Sequence, residues 1–410
     1  MKIDDLHTLI ETSNRRLNLT ELSFVRESYM HIEWESRLIL LKGCRGVGKS
    51  YLMLQHLKKT NEKAIYLSLD NLFFIEHTLS SIVNVLYNEG YKLFAFDEIH
   101  KYPNWSIELK NLYDSYPDLK MIVTSSAALR VMEGMGDLSR RMDIYTIKGM
   151  SFSEYHELEY KTLLPSFTFE ELLADHEHIY ETYYESYEIE KKFKAYLKKT
   201  YYPFYKESGT KYHERLHAII LQVIDADILA IFNLDYESTR QIKKLLSLLC
   251  RIGPFIPNIA KLSRDLGMSR NSVLLYLDYL SEAGIINILK SMAKSDSALT
   301  KPDKVFLENT NLLYAFNAST VNTGTLRETF VLNALINSGE VSTPAKGDFL
   351  YKNTYAIEVG GANKDFHQLY GMPNGILVKE GIAKGAKDIL PMWMLAFLKR
   401  KASTSFDARL

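Results

Sequence analysis

A glycine-rich stretch near the N-terminus has the residue types and spacing of a phosphate-binding loop. Residues 43–50 read GCRGVGKS, an apolar strand pattern precedes them at 38–41, and a helical pattern follows. The glycines let consecutive backbone N–H groups turn towards phosphate oxygens, and the N-terminal end of the helix adds positive potential. Lys49 is predicted to contact the β- and γ-phosphates, and the Ser50 hydroxyl to ligate Mg²⁺. The predicted nucleotide contacts are Gly43, Cys44, Arg45, Gly46, Val47, Gly48, Lys49, Ser50 and Tyr51.

Two carboxylates follow an apolar strand pattern at the distance that such a loop requires. The segment KLFAFDEIHKYPNW is predicted to form a strand over residues 93–96 that ends in Asp97 and Glu98. Asp97 is predicted to hold Mg²⁺ through water, and Glu98 to polarise the attacking water as a general base. The adjacent Glu also indicates the class of phosphate-loop proteins in which a further strand separates the loop strand from the Asp strand.

A cluster of hydroxyl groups closes the segment that is predicted to be this further strand. In KMIVTSSAALR the apolar run ends at Thr124, Ser125 and Ser126. From a position between the two motifs, one of these hydroxyls could sense the γ-phosphate. A helix N-cap is an equally good interpretation of any one of them.

A second pair of carboxylates lies in the segment GDFLYKNTYAIEVGGANK. A symmetric hairpin centred near Asn353 would place Asp348 opposite Glu358, with their Cβ atoms about 4.5–5.5 Å apart. Two carboxylates at this distance repel unless a cation, a proton or a basic neighbour compensates, which is the geometry of an Mg²⁺ site. Glu328 in LRETF is predicted to add a third carboxylate from a preceding helix.

Metal-dependent nucleases use such a hairpin, but they place a lysine two residues after the glutamate. Gly360 stands at that position and supplies neither a general base nor a positive charge. The sequence therefore predicts a nuclease-like fold that has lost catalysis, with a possible vestigial metal site whose carboxylates pair with lysine or arginine. The alternative is that Lys364 or Lys352 reaches the site from a shifted position.

The composition is that of an ordinary globular chain. Its 410 residues, 46% hydrophobic and 24% charged, are enough for two or three domains. Lys+Arg and Asp+Glu are equal at 50 each, which argues against strong non-specific attraction to nucleic acid or anionic membranes. Cys44 and Cys250 are too few for a disulfide framework. Without a recognisable secretory signal or an apolar run of ~18 residues, we expect a cytoplasmic protein with no membrane partner.

The middle of the chain is predicted to be helical, with a helix-turn-helix pattern from residue 254 and a possible wing strand in GIINIL. On the second helix Val273, Leu277 and Leu280 share the face that should be buried. The opposite face carries residues that suit the major groove poorly, namely Asn271, Leu275, Asp278 and Glu282. Only Arg270 suits DNA, so packing or protein contact is favoured over base readout. DNA contact through Lys290 or Lys294 of the wing stays open.

Several motifs occur together in the order of a known family: GCRGVGKS, FDEIHKYPNW, VTSSAAL, GMSFSEY, NTNLLYAF, GTLRETFVLNAL and GDFLY…YAIEVGGANK. The chain resembles the bacterial and archaeal AAA-type ATPases whose C-terminal domain of unknown function is similar to PD-(D/E)xK nucleases. The resemblance is most specific over residues 38–155 and diffuse in the predicted lid. It implies ATP binding, hydrolysis and regulation linked to assembly.

The resemblance also implies a role for two arginines before the last predicted strand of the sheet, at residues 144–147. In AAA-type ATPases an arginine at this place reaches the nucleotide of a neighbouring subunit. Either Arg140 or Arg141 is expected to do so in a homo-oligomer, and the other to form a structural salt bridge.

The expected fold is α/β: an AAA-type P-loop domain with an inserted strand (1–150), a helical lid (151–245), a winged helix (246–295) and a restriction-endonuclease-like domain (296–410). The first functional hypothesis is a Mg²⁺-dependent ATPase that acts as a regulatory or DNA-associated machine. The second is a nucleotide-gated switch or scaffold with slow turnover and protein partners. The third is a DNA nuclease gated by ATP.

Overall fold

The chain divides into two compact units, which are described separately. The computed structural model describes residues 2–127, 138, 140–252, 256–291, 301–317 and 321–401. The first unit ends at Lys148, and the second is Gly149–Lys401.

The first unit is built on a five-stranded parallel sheet. Its strands are β1 (Leu38–Gly43), β2 (Ala64–Ser68), β3 (Leu93–Asp97), β4 (Lys120–Ser126) and β5 (Asp143–Thr146). The spatial order is β2-β3-β4-β1-β5, and every neighbouring pair runs parallel. The predicted strand between the loop strand and the Asp strand is therefore confirmed, since β4 separates β1 from β3.

The apolar runs of this sheet are buried along their length. The four residues from Leu38 to Leu41 have no solvent exposure, which is expected of a central parallel strand that is covered on both faces. In the described part of this unit, five helices accompany the sheet: α1 (His7–Leu19), α2 (Lys49–Lys59), α3 (Phe73–Glu76), α4 (Leu79–Asn88) and α5 (Trp105–Ser115). Short 3₁₀ turns cover Ile3–Leu6, Glu27–His31 and Ile99–Lys101.

The strand register brings the predicted chemical groups to one edge of the sheet. Gly43 at the end of β1 pairs with Ser126 at the end of β4, and Leu41 pairs with Thr124. On the other side of β4, β3 ends at Asp97. Because the carboxyl ends of parallel strands share an edge, the loop, the carboxylates and the hydroxyls meet there.

The second unit begins with helices. They are α6 (Phe152–Tyr160), α7 (Phe169–Ala174), α8 (His176–Ile179), α9 (Ile189–Lys198), α10 (Tyr205–Ser208), α11 (Tyr212–Gln222), α12 (Leu229–Ile231), α13 (Tyr236–Ile252), α14 (Ile259–Leu266) and α15 (Arg270–Glu282). Two π-helical segments, Tyr180–Tyr184 and Val223–Ile228, and a 3₁₀ turn, Gly209–Lys211, connect them. The helical character predicted for the middle of the chain agrees with this arrangement.

Helices α14 and α15 form a helix-turn-helix pair with the predicted faces. Gly267 adopts φ 65° after α14, and the Ser269 hydroxyl caps α15 by accepting from the Ser272 N–H. The predicted buried residues are confirmed, with Val273 0%, Leu277 1% and Leu280 0% exposed. Strand β6 (Ile286–Leu289) then pairs antiparallel with β7 (Lys304–Leu307). Lys290 follows β6, while Lys294 lies outside the described residues.

A second sheet completes this unit. After helices α16 (Thr310–Asn317) and α17 (Thr323–Ile336) come strands β8 (Val341–Ser342), β9 (Phe349–Tyr351), β10 (Tyr355–Gly360), β11 (Gly375–Lys379) and β12 (Ile389–Pro391). 3₁₀ turns cover His367–Leu369 and Met392–Phe397. The order is β12-β11-β10-β9-β8, with antiparallel pairing from β8 to β10 and parallel pairing from β10 to β12.

None of the helices in the described part of the chain has both the length and the apolar character needed to cross a bilayer.

Candidate active site

The loop between β1 and α2 has a backbone that depends on its glycines. Gly46 and Gly48 adopt φ 85° and 95°, in the left-handed region that glycine enters without steric cost. A Cβ atom on Gly43 would lie 2.3 Å from the Ile147 carbonyl oxygen, so no larger residue fits without a shift. Because Gly48 precedes the first turn of α2, the loop ends at a helix N-terminus, which favours anions.

Lys49 lies inside this loop. Its side chain is buried, with the residue 5% exposed, and Nζ donates to the carbonyl oxygens of Gly43 (2.8 Å) and Cys44 (3.0 Å). A buried ammonium group is costly unless it is paired or hydrogen-bonded. The loop therefore holds a positive charge at the place where the sequence predicts phosphate contact.

Asp97 is the meeting point of three hydroxyl groups. Its Oδ1 accepts from Ser50 Oγ at 2.9 Å and from Thr124 Oγ1, while its Oδ2 accepts from the Tyr66 hydroxyl at 2.6 Å. The carboxylate is 5% exposed. The two predicted Mg²⁺ residues, Ser50 and Asp97, are thus in direct contact, and Thr124 joins them from β4.

Glu98 follows Asp97 in an unusual backbone conformation. Its φ is 59°, and its N–H donates to Thr124 Oγ1 at 2.9 Å. One carboxylate oxygen lies 3.6 Å from each of three basic groups: Arg45 Nη2, His100 Nε2 and Lys101 Nζ. The predicted base therefore lies beside the predicted metal ligands, with its charge compensated by the loop and by the turn after β3.

Four further predicted residues of this unit occupy different positions. Ser125 Oγ lies 3.2 Å from His100 Nδ1, so it contacts the turn after β3. Arg141 Nε lies 3.1 Å from Asp114 Oδ1, whereas Arg140 is exposed. Tyr51 is 44% exposed, and its hydroxyl accepts from the Glu21 N–H at 2.8 Å. Of the two arginines, Arg141 thus forms the salt bridge and Arg140 faces solvent.

Sequence reasoning missed two contacts of this site. Arg26 is 6% exposed and donates from Nη1 to the Val47 carbonyl (2.7 Å) and from Nη2 to the Lys148 carbonyl (2.9 Å), which ties the loop to the chain after β5. Nothing in the local pattern marks this arginine. Tyr66 was detectable in principle, because it is the one polar side chain inside the apolar pattern AIYL.

In the second unit, the predicted register of the hairpin is confirmed. Ile357 pairs with Phe349, as a turn centred on Asn353 requires. Beyond this pair, the Asp348 N–H donates to the Ile357 carbonyl at 2.8 Å and Asp348 Oδ2 accepts from the Val359 N–H at 3.0 Å, so Asp348 lies beside the segment that carries Glu358. The turn lies at Lys352 and Asn353, whose φ values are 49° and 53°.

Lysine side chains contact all three carboxylates of this cluster. Lys304 Nζ lies 3.1 Å from Asp348 Oδ1 and 3.7 Å from Glu328 Oε2, and Lys364 Nζ lies 2.5 Å from Glu358 Oε1. Burial, and secondarily the Asp348 charge, raises the pKa of Glu328 to about 7. Burial also raises the pKa of Glu358. Within the described ranges, no group of three or more His, Cys, Asp or Glu side chains is arranged to hold a metal ion.

Gly360 and Lys364 are spatially linked. A Cβ atom on Gly360 would lie 2.4 Å from Cγ and 2.5 Å from Cβ of Lys364, so the lysine stem fills the space of a side chain at position 360. Of the two lysines that were predicted as substitutes, Lys364 reaches the cluster. Lys352 does not, because its Nζ binds both carboxylate oxygens of Glu170 at 3.0 Å.

Two family models match parts of the chain. Residues 35–156 match the AAA domain family, and residues 190–322 match a domain of unknown function, DUF8612. An uncharacterized protein of Methanocaldococcus jannaschii is 26% identical over 288 residues, which are 66% of this chain and 60% of that protein. The matched region thus spans less than two thirds of this relative.

Solved structures give weaker likenesses. The RuvB Holliday junction branch migration motor of Thermotoga maritima is 15% identical, with a TM-score of 0.24, over 68% of this chain and 89% of its own. C. elegans PCH-2 is 18% identical, with a TM-score of 0.24, over 37% and 45%. Likenesses at this level carry no information about function. The family match and the sheet that carries the loop give the conclusion that residues 35–156 form an AAA domain.

Proposed function

We propose that the AAA domain binds ATP with Mg²⁺ and hydrolyses it to ADP and phosphate. The observation that supports this best is the convergence of Ser50 and Thr124 on one oxygen of Asp97, beside Lys49 and Glu98. Hydroxyl and carboxylate oxygens are the hard ligands that Mg²⁺ prefers, so Ser50 and Asp97 fit the ion. When bound, Mg²⁺ neutralises charge on the β- and γ-phosphates.

The chain's own residues account for the rest of the reaction. The N–H groups of the loop, the N-terminus of α2 and Lys49 bind the phosphates and orient them. Glu98 accepts a proton from a water whose oxygen forms the new bond to the γ-phosphorus. The bond from that phosphorus to the bridging oxygen breaks, and ADP leaves with the electron pair. Thr124, between Asp97 and Glu98, is the proposed sensor of the γ-phosphate.

Two substitutions separate binding from hydrolysis. Lys49→Ala should abolish nucleotide binding or turnover, because the loop loses its buried positive charge. Glu98→Gln should keep binding of a fluorescent ATP analogue and lower turnover roughly 10²–10⁴-fold, the usual contribution of a general base. Lys59→Ala, at the exposed end of the same helix, is the matched control. Unchanged turnover in Lys49→Ala would contradict the assignment, and unchanged turnover in Glu98→Gln would remove Glu98 from its role.

The second candidate is a nucleotide-gated switch or scaffold that turns over slowly. It is favoured by the basic groups of Arg45, His100 and Lys101 at 3.6 Å from the Glu98 carboxylate, since they reduce its ability to polarise a water. Single-turnover measurements distinguish the two. Slow hydrolysis with stable nucleotide occupancy supports the switch, whereas fast hydrolysis followed by product release supports the ATPase cycle.

We further propose that the second sheet is a nuclease-like domain without catalytic activity. Gly360 at the motif position and the ion pairs of Lys304 with Asp348 and Glu328 support this proposal, whereas the contact of Lys364 with Glu358 is the observation that favours the alternative of a catalytic nuclease. We expect no cleavage of single- or double-stranded DNA with Mg²⁺ or Mn²⁺. Metal-dependent cleavage that disappears in Asp348→Ala would instead support the ATP-gated nuclease.

For the helix-turn-helix pair, we propose a winged helix that serves packing or protein contact. The face of α15 opposite the buried residues carries Asp278 and Glu282, which would repel phosphates. DNA contact through Lys290 remains the alternative. Salt-dependent binding of duplex DNA that weakens in Lys290→Ala would favour the alternative.

A further inference from the structure

Tyr66 is a buried polar residue in the middle of β2. It is 2% exposed, and its neighbours in the strand, Ile65 and Leu67, are each 1% exposed. Register explains where its side chain goes. In the parallel pair β2–β3, Ser68 pairs with Asp97. Tyr66 lies two residues before Ser68, so the Tyr66 and Asp97 side chains share one face of the sheet. A tyrosine is long enough to span this diagonal distance.

The Tyr66 hydroxyl both donates and accepts a hydrogen bond. It donates to Asp97 Oδ2 at 2.6 Å and accepts from Arg16 Nη1 at 3.0 Å. The Arg16 guanidinium also lies 4.9 Å from the centre of the Tyr66 ring.

Helix α1 makes a second contact with Tyr66, through the backbone. The backbone N–H of Tyr66 donates to Ser13 Oγ at 2.9 Å, and Ser13 lies on α1 one turn before Arg16. Helix α1 therefore holds both the backbone and the hydroxyl of Tyr66. The sequence of contacts runs from α1 through Tyr66 to the carboxylate that Ser50 and Thr124 share.

The two oxygens of Asp97 consequently face different partners. Oδ1 points to Ser50 and Thr124, while Oδ2 is occupied by Tyr66. We propose that Tyr66, held by Arg16, is a positioning residue that orients the Asp97 carboxylate so that Oδ1 faces the Mg²⁺ of the nucleotide. This inference rests on the proposed function of the AAA domain. Groups that orient a metal ligand in this way change metal affinity 10–100-fold when they are removed, as an order of magnitude.

The test is to compare nucleotide binding with and without Mg²⁺ in the full chain. Tyr66→Phe keeps the ring and removes only the hydroxyl. We expect its affinity for a fluorescent ATP analogue in EDTA to match the wild type within about twofold. The Mg²⁺ concentration that gives half of the metal-dependent gain in affinity should rise about tenfold or more. Arg16→Gln should shift the same midpoint in the same direction by a smaller factor.

Tyr102→Phe is the matched control. Tyr102 is also buried (7% exposed), and its hydroxyl donates to a carboxylate, Glu108 Oε1, at 2.7 Å. If loss of a buried tyrosine hydroxyl acted only through stability, Tyr66→Phe and Tyr102→Phe would behave alike. We expect the control to lose thermal stability and to keep the wild-type Mg²⁺ midpoint.

The outcomes separate this inference from the function on which it rests. A wild-type midpoint in both Tyr66→Phe and Arg16→Gln would overturn the positioning role and leave the nucleotide site intact. If Tyr66→Phe fails to fold, the Mg²⁺ midpoint of Arg16→Gln alone tests the positioning role, because that role requires both side chains. A wild-type chain that binds no ATP analogue, with or without Mg²⁺, would overturn the proposed function and this inference together.

Discussion

Glu98 combines an unusual backbone with an unusual side-chain environment. A non-glycine residue in the left-handed region costs about 1–2 kcal/mol, so the surroundings must hold it there. The hydrogen bond from its N–H to Thr124 Oγ1 does so, and it links the predicted base to the predicted sensor. Strain of this kind concentrates at functional sites. Glu98 can polarise a water only if the basic groups 3.6 Å away withdraw from its carboxylate. Arg45 lies on the phosphate-binding loop, so it is the group through which the loop would control Glu98.

Glu328 is a carboxyl group whose protonation near neutral pH the fold changes. Its pKa is raised to about 7, from an ordinary value of 4.5. Between these two pH values the folded chain keeps a proton that the unfolded chain has lost, so the free energy of unfolding falls as pH rises through this window. The full shift corresponds to about 3 kcal/mol, an upper limit since 27% of the side chain is exposed.

Glu328→Gln should remove this pH dependence while keeping the shape of the side chain. We expect the variant to match the wild type near pH 4.5 and to be more stable at pH 8, by up to about 3 kcal/mol. Urea unfolding followed by the fluorescence of Trp393 measures this, in a background where Trp34 and Trp105 are phenylalanine. Glu340→Gln is the control for loss of one exposed glutamate charge. Parallel pH profiles for wild type and Glu328→Gln would contradict the account.

At the scale of elements, the sequence correctly predicted the strands, loop and turns that depend on local periodicity. The loop between a buried strand and a helix, the strand inserted between β1 and β3, and the hairpin register centred on Asn353 all follow from alternation and spacing. Glycine and asparagine signals also located the turns.

What the pattern did not predict are contacts between residues far apart in the chain. Lys304 reaches Asp348 across 44 positions, and Arg26 reaches Lys148 across 122. No local signal marks a lysine or arginine for such a contact, because both residue types are usually solvent-exposed. Lys364 was considered as a substitute for the missing lysine, but only the structure explains why Gly360 makes room for it.

The Arg26 contact provides a prediction about the loop. Arg26→Met keeps much of the buried volume but removes both hydrogen bonds, so the Val47 carbonyl loses its charged donor. Hydrogen bonds from charged groups contribute about 1.5–3 kcal/mol, and we expect ATP affinity to fall roughly tenfold. Calorimetric titration measures this.

Arg37→Met is the matched control, since Arg37 also donates to two backbone carbonyls, Tyr113 and Tyr116, away from the loop. It should lower stability without changing ATP affinity. Equal affinity losses in Arg26→Met and Arg37→Met would show that the effect is not specific to the loop.

At the scale of the whole molecule, the AAA domain and the DUF8612 match occupy separate stretches, residues 35–156 and 190–322. The proposed nucleotide chemistry lies in the first unit, whereas in the second unit Lys304 and Lys364 contact the carboxylate cluster. Arg140 is exposed, and we propose it as the group through which one copy of the chain would influence another.

If Arg140 acts on the nucleotide of a neighbouring copy, two inactive variants should complement each other. Arg140→Ala should lower turnover roughly 10³-fold, the order of an arginine that stabilises phosphoryl transfer. Mixed with Lys49→Ala, which keeps Arg140 but lacks a working loop, it should recover turnover above the sum of the separate rates. A mixture of Arg140→Ala with further Arg140→Ala is the control. Wild-type turnover in Arg140→Ala, or no gain on mixing, would contradict action between copies.

Phosphate release from ATP by the purified full chain tests the central claim most directly. We predict release that requires Mg²⁺, falls to background in EDTA and is lost in Glu98→Gln. A specific rate that rises with protein concentration would add support for assembly, and a further rise with duplex DNA would favour the DNA-associated machine. Absence of Mg²⁺-dependent release above background, at every protein concentration and in single turnover, would contradict the account of this unit as an ATPase.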